Sequence, residues 1–224
     1  MKKFLKFLLP VLALGALAAP ALVFFYNRGG ISFLELVDGQ NFKSLLFPLV
    51  GLYAFTLLWL QFLMGSTMWP LQKIFKRIEP IHRANGVIVL LLALLHPGLL
   101  LLAVGVEQFI GYEFVPEAMR PYVMAGSAAL TIMIITVSAA LLGKTKFLKR
   151  SWRWIHYANY LMFVLVWTHS WFVGSDVQGS VLQYLWIFYA VTAITAASWR
   201  VARGVKSSRQ KKAALTSKVS PSIN

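Results

Sequence analysis

The sequence predicts an all-α fold, a six-helix transmembrane bundle, and three observations carry that prediction. Hydrophobic residues fill 58% of 224 positions and the mean hydropathy is +0.68, too apolar for a water-soluble domain of this length. Apolar runs close to the ~20 residues that cross a bilayer as helix recur at 4–26, 45–64, 83–105, 122–142, 154–173 and 181–199. Basic residues gather at alternate ends of these runs: Lys2, Lys3 and Lys6, then Lys73, Lys76, Arg77 and Arg83, then Lys144 to Arg153, then the tail from Arg200. The other ends carry few cations, Arg28, Lys43 and Arg120, together with most of the acidic residues. The positive-inside rule therefore places both termini in the cytoplasm of a cell that holds the protein in its plasma (inner) membrane.

Taken in order, "MKKFLKFLLPVLALGALAAPALV" opens on lysines and continues apolar to Tyr26. It reads as a retained helix, and the alternative of a cleaved signal peptide would leave five spans with the outward side unchanged. With the Gly-containing outer segment "NRGGISFLELVDGQNFKS" it makes a first unit, 1–44. Residues 45–200 hold the other five spans. The connections are too short to bury a soluble core of their own. The acidic and aromatic "GVEQFIGYEFVPEAMRP" suits an interface or docking surface. Small residues from Gly126 to Ala129 and from Ser138 to Ala140 allow the fourth span close helix contact. "GKTKFLKRSWRW" brings five cations and two tryptophans to the start of the fifth span, an interfacial anchor with a basic face. The stretch 201–224 is polar and basic without an apolar period, and is expected to be a disordered cytoplasmic tail.

The net charge of +15 is explained by this topology and by anionic membrane lipid, and no nucleic-acid partner is expected. The chain has no cysteine. Disulfides, thiolate metal sites, iron–sulfur ligation and covalent haem attachment are thereby excluded, and any cofactor is held through nitrogen or oxygen. No dinucleotide-binding glycine motif, serine-hydrolase elbow or soluble nucleotide-binding unit is present.

The four histidines, His82, His96, His156 and His169, all lie in or at the inner ends of spans three and five. A lone intramembrane histidine is ordinarily a hydrogen-bond partner between helices. Here they form two registers. His82 and His96 are 14 residues apart, about 21 Å of rise and close to four whole turns; His156 and His169 are 13 apart, about 20 Å. Spans three and five run in the same direction, so His82 matches His156 in depth near the cytoplasmic face, and His96 matches His169 nearer the outer face. Facing histidines at one depth can hold a flat iron macrocycle by its two axial positions, and two such pairs would stack two haems across the bilayer. A tetrahedral zinc site does not suit positions ~20 Å apart. Thirteen residues of ideal helix end about 140° off the starting face, so span five is expected to be tightened locally, or its histidines to approach from different sides. Gly86, Pro97 and Gly98 neighbour the histidines. Arg77, Arg83, Lys149, Arg150 and Arg153 stand where inner haem propionates or a flavin phosphate would want cations. Trp152, Trp154, Trp167 and Trp171 are candidates to pack on a macrocycle or to anchor the interface.

At "HRANGVIVLLLALLHPG" and "KRSWRWIHYANYLMFVLVWTHSW" the chain resembles the ferric reductase-like transmembrane domain family, which includes ferric-chelate reductases and NADPH oxidases. The resemblance covers roughly residues 45 to 200. It implies a dihaem cytochrome b-type bundle with two haem b groups, His82 with His156 on the inner iron and His96 with His169 on the outer one. It further implies electron transfer from a cytosolic flavin (FMN or FAD) to an extracytoplasmic acceptor such as ferric chelate. The chain is also similar to the haem-binding membrane subunit of the periplasmic methionine sulfoxide reductase system, with Arg120 to Tyr122 standing for its "RPY". That subunit generally has no counterpart of His82. The fused flavin and nicotinamide domain of the larger family members is absent from this sequence, so the resemblance implies a separate cytosolic flavin/NAD(P)H reductase. The alternatives are a haem-containing anchor that serves a periplasmic protein or exchanges electrons with quinone, and a non-haem transporter whose histidines only join helices.

Overall fold

The computed structural model describes residues 2–38, 41–142 and 152–219, and every regular element among them is helical. Five helices are long and apolar enough to cross a membrane: α1 (Lys2–Tyr26), α2 (Phe42–Ser66), α4 (Ile78–Val104), α6 (Arg120–Leu142) and α9 (Leu182–Val219). Four short helices complete the described set: α3 (Met68–Gln72), α5 (Val106–Ile110), α7 (Trp152–Tyr157) and α8 (Asn159–Val173), with 3-10 turns at Gly30–Leu36 and Glu117–Met119.

The run expected as the fifth span is thus two pieces, α7 and α8. The 15 residues of α8 rise only about 22 Å, short of a bilayer core. The break has a local cause. The Ala158 amide donates to the Ile155 carbonyl at 3.0 Å, a bond three residues back, and the Asn159 side chain donates to His156 Nδ1 at 3.0 Å rather than leaving the backbone ladder uncontested. Each 3-10 residue turns the chain about 20° further than an α residue, so one such turn closes about 60° of the 140° mismatch between His156 and His169.

The stretch expected as a disordered tail departs from that reading, since α9 continues to Val219. Ala, Lys, Arg and Gln are strong helix formers, and extending an existing helix carries no nucleation penalty.

The bundle is built mainly from α2 against α4 and α6 against α8, with α1 and α9 packed on α2. Its core is aromatic: Phe24, Phe55, Trp59, Phe163, Trp186 and Tyr189 are buried together. Lipid cannot satisfy polar groups, so the indoles find partners inside the bundle. Trp59 donates to Thr192 Oγ1 at 2.9 Å, Trp167 to the Trp186 carbonyl at 3.1 Å and Trp186 to Ser170 Oγ at 2.9 Å. The outward faces carry exposed Leu91, Leu95, Ile134, Ile135 and Ile187, the apolar coat of a bundle whose solvent is lipid. Arg28 just past α1 holds Asp176 in a two-pronged ion pair at 2.5 and 3.1 Å, and its guanidinium lies 3.8 Å over the Phe24 ring.

Candidate functional site

His96 on α4 and His169 on α8, the pair expected nearer the outer face, meet with their ring centroids 6.4 Å apart and their planes at 77°. Each ring is pressed onto a glycine of a neighbouring helix. A Cβ at Gly51 of α2 would lie 2.7 Å from His96 Cε1, and one at Gly126 of α6 would lie 2.7 Å from His169 Nδ1. No other residue permits that approach without displacing the imidazole. Four residues before each glycine is the carbonyl that the ring reaches: His96 Nδ1 donates to Phe47 O at 2.8 Å, and His169 Nδ1 donates to Tyr122 O at 3.0 Å. A carbonyl only accepts, so both Nδ1 atoms carry the proton and both Nε2 atoms keep a lone pair for a ligand. The same device, carbonyl at i and glycine at i+4, occurs once on α2 and once on α6.

Both rings line a cavity of about 540 Å³, within the range of cofactor sites. Its walls are largely apolar, including Phe55, Met133 and Trp186, and the outer loop closes over it with Phe109, Tyr112 and Phe114. Phe109 and Phe114 stack there at 6.0 Å and 19°, and Tyr112 holds a left-handed backbone, φ 55°.

The inner pair is held differently. His82 also faces a glycine, Gly65 of α2, but more loosely, at 3.2 Å from Cε1. Asn85 Nδ2 donates to Leu57 O at 3.0 Å and to Gln61 Oε1 at 2.9 Å. That fixes the Gln61 amide, whose Nε2 donates to His82 Nε2 at 3.3 Å, and the buried His82 Nδ1 has no hydrogen-bond partner. Gly86 leaves the room this amide occupies, since a Cβ there would meet Gln61 Nε2 at 2.8 Å. His156 is an electrostatic neighbour of His82, and Arg200 of both; Arg200 Nη1 donates to Gly65 O at 2.5 Å.

The outer pair fits a planar metal cofactor: the tautomers are pinned, each Nε2 keeps a lone pair, and an apolar cavity adjoins them. The inner pair is not pinned in that way: His82 Nε2 accepts from Gln61 and His156 Nδ1 accepts from Asn159, so both amides would have to give way before both rings turned a free Nε2 to one ligand. Among the described residues no three His, Cys, Asp or Glu side chains converge on one point.

Arg83 pairs with Glu79 one turn away on an exposed face, and Arg77 stands at the N-terminal boundary of α4. Lys149 and Arg150 lie outside the described residues, as does the Arg153 side chain, whose backbone is in α7. Trp167 stacks on Trp171 at 5.2 Å, which makes it helix packing, and Trp154 is exposed. The cation that does approach, Arg200, was counted in the sequence as the first residue of the inner basic tail. Gly51, Gly65 and Gly126 were not singled out as partners of the rings, although Gly51 and Gly65 are 14 apart, the same spacing as His82 and His96.

The family model described as ferric reductase like transmembrane component matches residues 50–167. The match contains His82, His96 and His156 and ends two residues before His169. No curated protein and no solved structure matches the chain.

Proposed function

From the premise that the chain belongs to the family of ferric reductase-like transmembrane components, we propose that it carries electrons across the membrane, with His96 and His169 holding one haem b and His82 and His156 a second. Haem would supply one-electron redox chemistry there. The observation that carries the reading is the outer pair. Its ring centroids lie 6.4 Å apart, close enough that both imidazoles would reach one metal ion, and each Nε2 keeps its lone pair for it.

This chain's residues have definite tasks in that reading. The Phe47 and Tyr122 carbonyls orient the outer imidazoles and raise their basicity, and the glycines beneath them set the distance between helices. The apolar cavity wall keeps water from the redox centre. Electrons enter from a separate cytosolic flavin/NAD(P)H reductase and leave to an extracytoplasmic acceptor, a ferric chelate or a periplasmic protein. The bundle crosses the membrane six times, with α7 and α8 together making the fifth crossing.

The test is a dithionite-reduced minus oxidised spectrum of the purified protein with haem quantified per chain. Two low-spin b haems are expected, falling to one in His96→Ala or His169→Ala. A haem-free protein from a haem-sufficient host would return the histidines to helix packing and favour a transporter. Full occupancy in either variant would show the pairing to be wrong.

A further inference from the structure

At the inner end of the bundle, α3 and the cytoplasmic part of α9 enclose a second cavity of about 340 Å³, with Met68, Trp69, Gln72, Trp199, Arg200 and Arg203 in its wall. The Trp69 ring is contacted by two cations, Lys73 Nζ at 3.4 Å and the Arg203 guanidinium at 4.0 Å from its centroid, and the same guanidinium lies 4.7 Å from Trp199. Arg200 closes the deep side, where its Nη1 is committed to Gly65 O. Among the described residues none of Lys73, Arg200 and Arg203 has a carboxylate partner. Lys73 is not among the wall residues, so the cations that face the cavity are Arg200 and Arg203, and they have no counter-charge there.

Arg203 gains from the two ring quadrupoles and Arg200 from the Gly65 carbonyl, but the repulsion between the two guanidiniums is left uncompensated. An anion between them removes that repulsion and takes up the guanidinium N–H groups that the rings do not satisfy. The setting selects the kind of anion. Tryptophan and arginine lie together where α9 passes from its apolar run into a basic segment, the depth at which headgroups of the cytoplasmic leaflet lie. Met68 and the indoles give the cavity an apolar flank beside its cations, which matches a phosphate joined to a glycerol and acyl chains.

We propose that this cavity binds the phosphate of an anionic phospholipid, with Arg200 and Arg203 as its cations and Trp69 and Trp199 as its walls. The site depends on the inward orientation of this end of the bundle and is independent of whether the histidines hold haem.

The experiment measures lipid retained by the full chain after detergent extraction, and its exchange against phosphatidylglycerol, phosphatidylcholine or inorganic phosphate, by native mass spectrometry. The wild type is expected to prefer phosphatidylglycerol over phosphatidylcholine. Arg203→Gln should weaken that preference about fivefold, the effect of one basic residue near an anionic surface. Arg209→Gln removes a cation of the same helix outside the cavity and should leave the preference unchanged. Equal retention of both lipids, or an equal loss in Arg209→Gln, would overturn the site in favour of diffuse surface attraction. Displacement of the bound lipid by millimolar inorganic phosphate would assign the site to a soluble phosphate and overturn the lipid reading. Haem content is read on the same samples, so a haem-free wild type that keeps its lipid preference would sink the electron-transfer reading alone.

Discussion

At the scale of the residue, the histidines owe their geometry to what the neighbouring helices lack. Gly51 and Gly126 hold the outer rings at distances no Cβ tolerates, 2.7 Å in both cases, whereas Gly65 leaves 3.2 Å beside His82. Alanine at Gly126 should push the His169 ring off Tyr122 O and leave a buried polar group unpaired, a penalty of about 1–3 kcal/mol. We expect Gly126→Ala and Gly51→Ala to lose the outer haem and Gly65→Ala to retain the inner one after a shift of a few tenths of an ångström, as read by pyridine haemochrome per chain. Equal loss in all three variants would show that the graded fit does not govern binding. The histidine registers could be read in the sequence because a polar residue in an apolar run stands out by itself. Their glycine partners could not, because pairing Gly51 with His96 requires knowing that α2 runs antiparallel beside α4. Gln61 and Asn85 were missed for the same reason, since neither is unusual until the other is adjacent.

At the scale of the element, polarity alone located the spans, and local hydrogen bonding then decided their shape. In the apolar run 154–173 only the 13-residue histidine spacing pointed to local tightening; the position of the break was hidden, because the competing bond from Asn159 to His156 is made by a side chain at ordinary helical spacing. The helical course of 201–219 was hidden by composition: high charge reads as disorder, yet the same residues extend a helix already nucleated by α9. Substituting Asn159→Leu removes the donor to His156 Nδ1 and should alter the redox midpoint of the inner haem while leaving the outer one in place, a difference that potentiometric titration separates. A second element-scale prediction concerns α1, which is fastened to the bundle by Tyr189 OH donating to Ala16 O at 3.3 Å and by the Arg28 to Asp176 pair. Asp176 is only 5% exposed, so Arg28→Met leaves a carboxylate nearly dry and unpaired, a loss of about 3 kcal/mol, at the lower end for buried pairs because Arg28 is partly solvated. Asp176→Asn should lose less. The thermal midpoint in detergent orders the two variants, and the reverse order would mean that the pair does not fasten the helix.

At the scale of the whole molecule, the ion pair constrains the path of the chain. If α1, α2, α4 and α6 each cross once from a cytoplasmic start, Arg28 and the loop holding Phe109 and Tyr112 lie outside and the end of α6 lies inside. Asp176 pairs with Arg28, and Ser175 and Asp176 line the same cavity as Phe109 and Tyr112, so Asp176 must also be outside. The chain between Leu142 and Asp176 therefore has to return across the membrane, and α7 with α8 are the helices available to do it, even though neither is long enough alone. Arg200 on Gly65 O imposes the matching condition at the inner end. Because the chain has no cysteine, the argument can be tested with single replacements in an otherwise unaltered protein. With six crossings, cysteines at Asn27 and Gln178 react with a membrane-impermeant maleimide in intact cells, and one at Ser207 reacts only after permeabilisation. A bundle in which α7 and α8 turn back without crossing exchanges the last two results: Gln178 becomes protected and Ser207 accessible. That pattern would separate Arg28 from Asp176 by the thickness of a bilayer and would leave His96 and His169 no common depth at which to hold one cofactor.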